Sequence, residues 1–280
     1  MQGRINCKMK NGETDRIEKA NNMGSPVLSL LALYARSSFG KILGALAVMA
    51  VAEGVSFYLA CGKTGKDGVF FGPERMIDLC FLKYFFLGGL ALAYFILVVT
   101  ESERGGCKTR YTLLRLQLSI KRQYAVRAAY NFLCLALVFA LQIVGAFVIC
   151  RLYAAKLPAG LVSPQYLFLA FYRNDFLHCM LPMADVGKWI CNFLLLLALS
   201  MDAACGSSIF REKREKRGSG SKTGRQLLIS VWIFSILSRW FVSESNSPIA
   251  FFYALFSLAM IAAALLRLFG VIGGGSDAEA

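Results

Sequence analysis

The sequence predicts an all-α, polytopic membrane protein with six transmembrane helices. Three observations carry that reading: apolar stretches of bilayer-crossing length, a hydrophobic content of 57% with mean hydropathy +0.55, and loops that alternate between Lys/Arg-rich and Lys/Arg-poor. A helix needs roughly 20 mostly apolar residues to cross the hydrocarbon core. Residues 42–61, 79–100, 128–150, 189–210, 227–242 and 249–266 supply such runs. In lipid the backbone must satisfy its own polar groups, and continuous apolar runs do so as helices rather than as barrel strands.

Charge sets the expected orientation. Residues 1–41, 101–127 and 208–225 carry 7 Lys/Arg each and the tail after Leu266 carries 1, so 22 of 31 fall on one side. The positive-inside rule then places both termini and these two links in the cytoplasm. The net charge of +14 follows from the same distribution, with anionic lipid headgroups as its counterpart, and calls for no nucleic-acid partner.

Taken in order, residues 1–24 are polar and lack the apolar core of a signal peptide, so they read as a cytoplasmic tail with span one as the insertion signal. Ser25-Pro26 provides an N-cap and a first-turn proline. Val27, Leu30, Leu31, Tyr34 and Ser38 follow at helical spacing. Residues 25–39 are therefore expected as an amphipathic interfacial helix along the inner leaflet, turning up at Gly40 into span one. The alternative is a plain extension of that span.

The 101–127 link opens with a charged turn and continues as Tyr111 to Lys121, mixing apolar and basic residues. Residues 114–121 alternate with the period of a strand. An isolated strand at a membrane face has no partner, however, and Leu113, Leu116 and Ile120 share one helical face. A short amphipathic cytoplasmic helix that docks another protein is expected.

The outer segment 151–188 contains five aromatics between Gln165 and His178, the composition of an outer-leaflet helix at the interface. Its functional alternative is a mouth or headgroup-recognition site built from Arg173, Asp175, His178 and Asp185. A hydrolase would use His178 as base and Asp175 to orient it, but no serine or cysteine is clearly placed as nucleophile, although Cys179 is adjacent. In the basic 208–225 loop the charged run 211–217 is followed by Gly218-Ser219-Gly220-Ser221, a helix end fraying into a linker at the membrane surface. Residues 25–270 form the membrane domain, and 271–280 a cytoplasmic tail.

Nine cysteines show no Cys-x-x-Cys spacing, and the chain has one histidine, so no zinc site or other cofactor is expected. Cys61 with Cys179 is the one outside pair to consider. Two acids lie within spans, Glu53 in the first and Asp202 in the fourth. A charge at that depth costs on the order of 2.5–3.5 kcal/mol, so each needs a partner, with Asn131, Gln142 and Asn192 as polar candidates. Glu53 reads equally well as part of a substrate or proton path and as a protonated interhelical contact. Asp202 reads as structural.

The order of these elements resembles the permease subunits of type-2 ATP-binding-cassette transporters, over about residues 25–269. In that family the cytoplasmic segment between spans two and three is the coupling helix that receives motion from a separate ATPase. The resemblance implies that Thr112, Leu113, Arg115, Leu116, Ile120, Lys121 and Arg122 dock such a subunit. The proline of the step often found there is absent, and residues 243–248 leave no room for the family's outer re-entrant segment. No nucleotide site accompanies the chain: Gly62-Lys63-Thr64 lacks the phosphate-loop glycine, Phe57 standing in its place.

The implied function is transport of an amphipathic or lipid-like substrate by a homodimer or heterodimer in a bacterial cell membrane. Membrane lipids and a cytoplasmic ATPase are the partners, and the chain itself is not an enzyme. A non-transporting scaffold or sensor docking a cytoplasmic protein is the alternative, and an intramembrane lipid-modifying enzyme the third reading.

Overall fold

The computed structural model describes residues 3–63, 71–102, 120–158, 162, 165–183, 185–215, 255, 257–262 and 265, with backbone only at 3–26, 63, 101–102, 120–121 and 206–215. Its helices in chain order are α1 (Gly3–Lys63), α2 (Pro73–Leu79), α3 (Leu82–Ser102), α4 (Ile120–Ala154), α5 (Tyr166–Arg173), α6 (Asp175–Met180) and α7 (Val186–Glu215). No strand occurs among the described residues.

Four helical stretches are long and apolar enough to cross a membrane: Val27–Gly62, Leu82–Thr100, Arg122–Ala154 and Val186–Cys205. They coincide with the first four expected spans, and the chain is a helical membrane protein. Of the two further expected spans, 227–242 lies outside the described residues, and the described residues within 249–266 are helical.

The expected turn at Gly40 is corrected. Helix α1 runs unbroken from Gly3 to Lys63, so the polar residues 3–24 are helical and 25–39 extend span one. The reason is a single stripe. Leu30, Tyr34, Ser38, Ile42, Leu46, Met49, Glu53, Phe57 and Ala60 are all buried at steps of three or four, the spacing of one helical face. Helix α1 packs on α3 and α4, and burying Leu30 and Tyr34 in that contact gains more than laying them on a membrane surface. The 36 residues of Val27–Gly62 rise about 54 Å against a hydrocarbon core of about 30 Å, so part of the helix stands outside it. The opposite face exposes Val48, Val51, Val55 and Leu59, as expected of a helix that meets lipid.

Helices α1, α3, α4 and α7 form one bundle, α1 packing on α3 and α4, and α7 on α3 and α4. Phe86, Leu90, Leu135, Val138 and Leu199 fill its centre. Gly89 of α3 faces Met49 so closely that a Cβ there would collide with the methionine side chain. Small residues permit such close approach of helices in membranes.

Span two begins later than its hydropathy suggests. Phe81 takes a left-handed φ of 53°, unusual for a residue with a Cβ, and separates α2 from α3. The turn is held by Phe81 N–H donating to the Asp78 carbonyl at 3.1 Å and by Ser56 Oγ donating to the Cys80 carbonyl at 2.8 Å.

The outer segment also differs from the single helix expected. Asn174 adopts extended backbone and divides it into α5 and α6, its Oδ1 accepting from Leu177 N–H at 3.1 Å as an N-cap. Its Nδ2 reaches the Glu74 carbonyl at 3.3 Å and Asp78 Oδ1 at 3.4 Å. Helices α2, α5 and α6 thereby form a cap at one end, fastened to the bundle by Tyr153 Oη donating to the Phe71 carbonyl at 2.9 Å, Asn192 Nδ2 donating to the Cys179 carbonyl at 2.9 Å, and the Phe86–Phe176 ring contact.

A pair of glycine substitutions tests this packing. A Cβ at Gly40 meets open space, so Gly40→Ala in a continuous helix should raise stability by about 0.5–1 kcal/mol. Gly89→Ala should lower it by about 1–3 kcal/mol through overpacking against Met49. Unfolding in detergent micelles reads both, and a destabilised Gly40→Ala protein would restore the turn at that residue.

Candidate functional site

The buried acids define the polar features of the bundle. Glu53 on α1 is 4% exposed and Gln142 on α4 is fully buried. A Cβ at Gly145, three residues beyond Gln142, would lie 3.0 Å from Glu53 Oε2, so the glycine gives the carboxyl room to lie against α4. Gln142 is near enough to interact with that carboxyl, yet the pair does not complete a well-formed hydrogen bond. Glu53 Oε1 and both amide atoms of Gln142 are buried with no hydrogen-bond partner among the described residues.

Leaving such atoms unsatisfied costs about 1–3 kcal/mol each. No ion pair among the described residues involves Glu53, and an unpaired buried carboxylate is far costlier than a neutral carboxyl. The pair is thus a costly polar contact buried between α1 and α4.

Asp202 on α7 has a defined partner. It is 4% exposed, and Tyr94 Oη of α3 donates to its Oδ2 at 2.6 Å. The other polar side chains flagged in the spans go elsewhere: Asn131 Nδ2 donates to the Ser200 carbonyl at 3.3 Å, and Asn192 holds the cap of α2, α5 and α6. Near the same end of the bundle, Ser38 Oγ and Tyr130 Oη lie 2.7 Å apart, and Tyr124 Oη donates to the Met201 carbonyl at 2.9 Å. These contacts join α1 to α4, α3 to α7 and α4 to α7. Sequence reading missed the three tyrosines, because a tyrosine within an apolar run resembles packing; their spacing from buried polar residues was the available signal.

The residues of the 165–188 stretch singled out from sequence each have a contact or helix-end position of their own. Arg173 pairs with Glu74 at 3.3 Å in an exposed salt bridge, Asp175 opens α6, and His178 meets the Tyr172 ring edge-on at 5.7 Å. Asp185 accepts from Gly187 N–H at 2.9 Å and Lys188 N–H at 3.3 Å, capping α7. Burial pushes the Cys179 thiol up, with Asp175 adding to the shift and Lys188 opposing it. Burial likewise pushes Cys80 up to about 12, with Cys61 and Cys150 contributing. Both are protonated packing residues rather than activated thiolates. Cys61 and Cys179 are each free. Of the docking residues, Thr112, Leu113, Arg115 and Leu116 lie outside the described residues, while Ile120, Lys121 and Arg122 form the first turn of α4.

No family model, curated protein or solved structure matches this chain.

Substitution at Glu53 tests the buried pair. Glu53→Gln preserves shape while removing the ionisable group, so stability in detergent should equal or exceed that of the parent. A loss above about 2 kcal/mol in Glu53→Gln would mean that Glu53 is ionised and paired with a cation.

Proposed function

We propose that this chain is the membrane-spanning subunit of an ATP-binding-cassette transporter, moving an amphipathic or lipid-like substrate with energy from a separate cytoplasmic ATPase. The observation that carries the reading is which helices the 103–119 link connects. It joins α3 to α4, helices that pack on each other and on both remaining bundle helices. The ends of the bundle nearest the link are also cross-connected through Ser38–Tyr130, Asn131–Ser200 and Tyr94–Asp202. A displacement delivered to this link would therefore move four helices together, as a rocking mechanism requires. The order of elements and the basic composition of the link support the same reading.

In this mechanism two copies, or this chain and a related one, rock against each other. The exposed apolar faces of α1 and α4, with Val48, Val51, Val55, Leu133 and Leu137, meet lipid or the second copy. Glu53 and Gln142 lie between α1 and α4, where relative motion of the two helices would open or close their contact. The charge distribution supports a cytoplasmic placement of both termini and of the link, and the family resemblance supports a bacterial cell membrane.

Purification in mild detergent tests the reading. A stoichiometric nucleotide-binding subunit should accompany the parent chain, and Leu116→Asp with Ile120→Asp should remove it while leaving membrane insertion intact. A partner without nucleotide-binding activity, lost on the same substitutions, would favour the scaffold instead. Retention of the ATPase by the double variant would move the docking surface away from 111–122.

A further inference from the structure

We propose that α5 and α6 lie within one leaflet of the bilayer rather than in the water beyond it, and that Phe168 and Tyr172 anchor them among lipid headgroups and the first acyl carbons. This inference is independent of the transport reading. It rests on how deep the two short helices sit against the spans.

Three spans carry a basic residue near this end of the bundle: Lys83 on α3, Arg151 on α4 and Lys188 on α7. None of the three is buried, and a Lys or Arg near the end of a spanning helix extends its charge to the headgroup layer. Each span touches the cap about one helical turn further in. Phe86, three residues past Lys83, meets Phe176 of α6 with ring centroids 6.0 Å apart. Phe147, four residues inside Arg151, meets Phe171 of α5 at 6.4 Å. Asn192, four residues past Lys188, donates to the Cys179 carbonyl of α6 at 2.9 Å. At a helical rise of about 1.5 Å per residue, these contacts fall about 4.5–6 Å inward of the basic residues. The buried sides of both helices accordingly belong to the core of the bundle: Ala170, Phe171, Phe176 and Leu177 join the cluster that contains Phe86 and Leu199.

The other side of α5 identifies lipid as its occupant. Phe168 and Tyr172 are 51% and 56% exposed, and they lie one turn apart as a stacked pair with centroids 5.9 Å apart. Aromatic side chains, above all those with a polar edge such as tyrosine, gather where a membrane meets water. Phe147, which touches α5 through Phe171, is itself half-exposed together with Val148, so the apolar surface of α5 is continuous with that of a helix long and apolar enough to cross the membrane. Polar groups collect at the turn between α5 and α6, where Arg173 pairs with Glu74 and Asp175 is exposed. That turn gives the helix pair one edge toward water.

Photo-crosslinking of the full chain in phospholipid nanodiscs tests the proposal, with a benzophenone side chain in place of Phe168 or, separately, of Tyr172. Both positions are half-exposed, so the longer ring finds room, and either one decides the matter if the other variant fails to fold. Val51, exposed within the span of α1, carries the same group as the reference for lipid contact. Mass spectrometry should find phospholipid adducts at 168 and 172 in a yield on the scale of that at 51. Background yield at 168 and 172 while 51 is labelled would place α5 in water, and adducts to a second protein chain in place of lipid would give the face to a protein partner. Either result would overturn the proposal.

Discussion

A polar group that enters the bilayer must find its partner on another helix, and this requirement organises the molecule. The hydrogen bond from Tyr94 to Asp202, at 2.6 Å and away from water, is its clearest instance. Asp202 exposed to lipid would cost several kcal/mol. Placed against Tyr94, it fixes the rotation and height of α7 relative to α3. Interhelical hydrogen bonds in membranes contribute only about 0.6–1.7 kcal/mol each, so their main effect is selective: among many apolar packings of similar energy, they favour the one in which each polar side chain has a partner.

The bundle is consequently fastened at both ends by different means. At the end nearest the basic links, side chains of the spans themselves cross-connect the four helices. At the other end, α2, α5 and α6 form a cap held by Asn174, Asn192, Tyr153 and Ser56, largely through backbone carbonyls at helix ends and turns. Between them sits Glu53 with Gln142, the polar pair whose hydrogen bonding is least complete. A bundle secured at its ends with an unsatisfied pair in between concentrates its capacity for change between α1 and α4.

The helical class and the centres of the first four spans were legible because apolar length is a direct consequence of bilayer thickness. Glu53, Asp202 and Gln142 stood out for the complementary reason, as polar residues in costly positions. Pairing was not legible, since it depends on the relative height of helices far apart in sequence: nothing local indicates that Glu53 meets α4 at Gly145 or that Asp202 meets Tyr94. The continuity of α1 could have been read from the stripe Leu30, Tyr34, Ser38, Ile42, but Ser25-Pro26 and Gly40 looked like punctuation. Phe81 gave no warning, because a left-handed turn ordinarily announces itself with glycine or asparagine. Asn174-Asp175 did carry an N-cap signal, hidden inside an aromatic run that suggested one helix.

The central claim is that interhelical polar contacts bind the four described spans into one unit, and a double-mutant cycle on Tyr94→Phe and Asp202→Leu addresses it most directly. Unfolding of the parent, the two single variants and the double variant in the same detergent gives the coupling between the side chains. A favourable coupling of about 0.6–1.7 kcal/mol is expected. Strictly additive effects would show that the contact does not hold α3 to α7, and would contradict the account of the bundle as a unit that moves together.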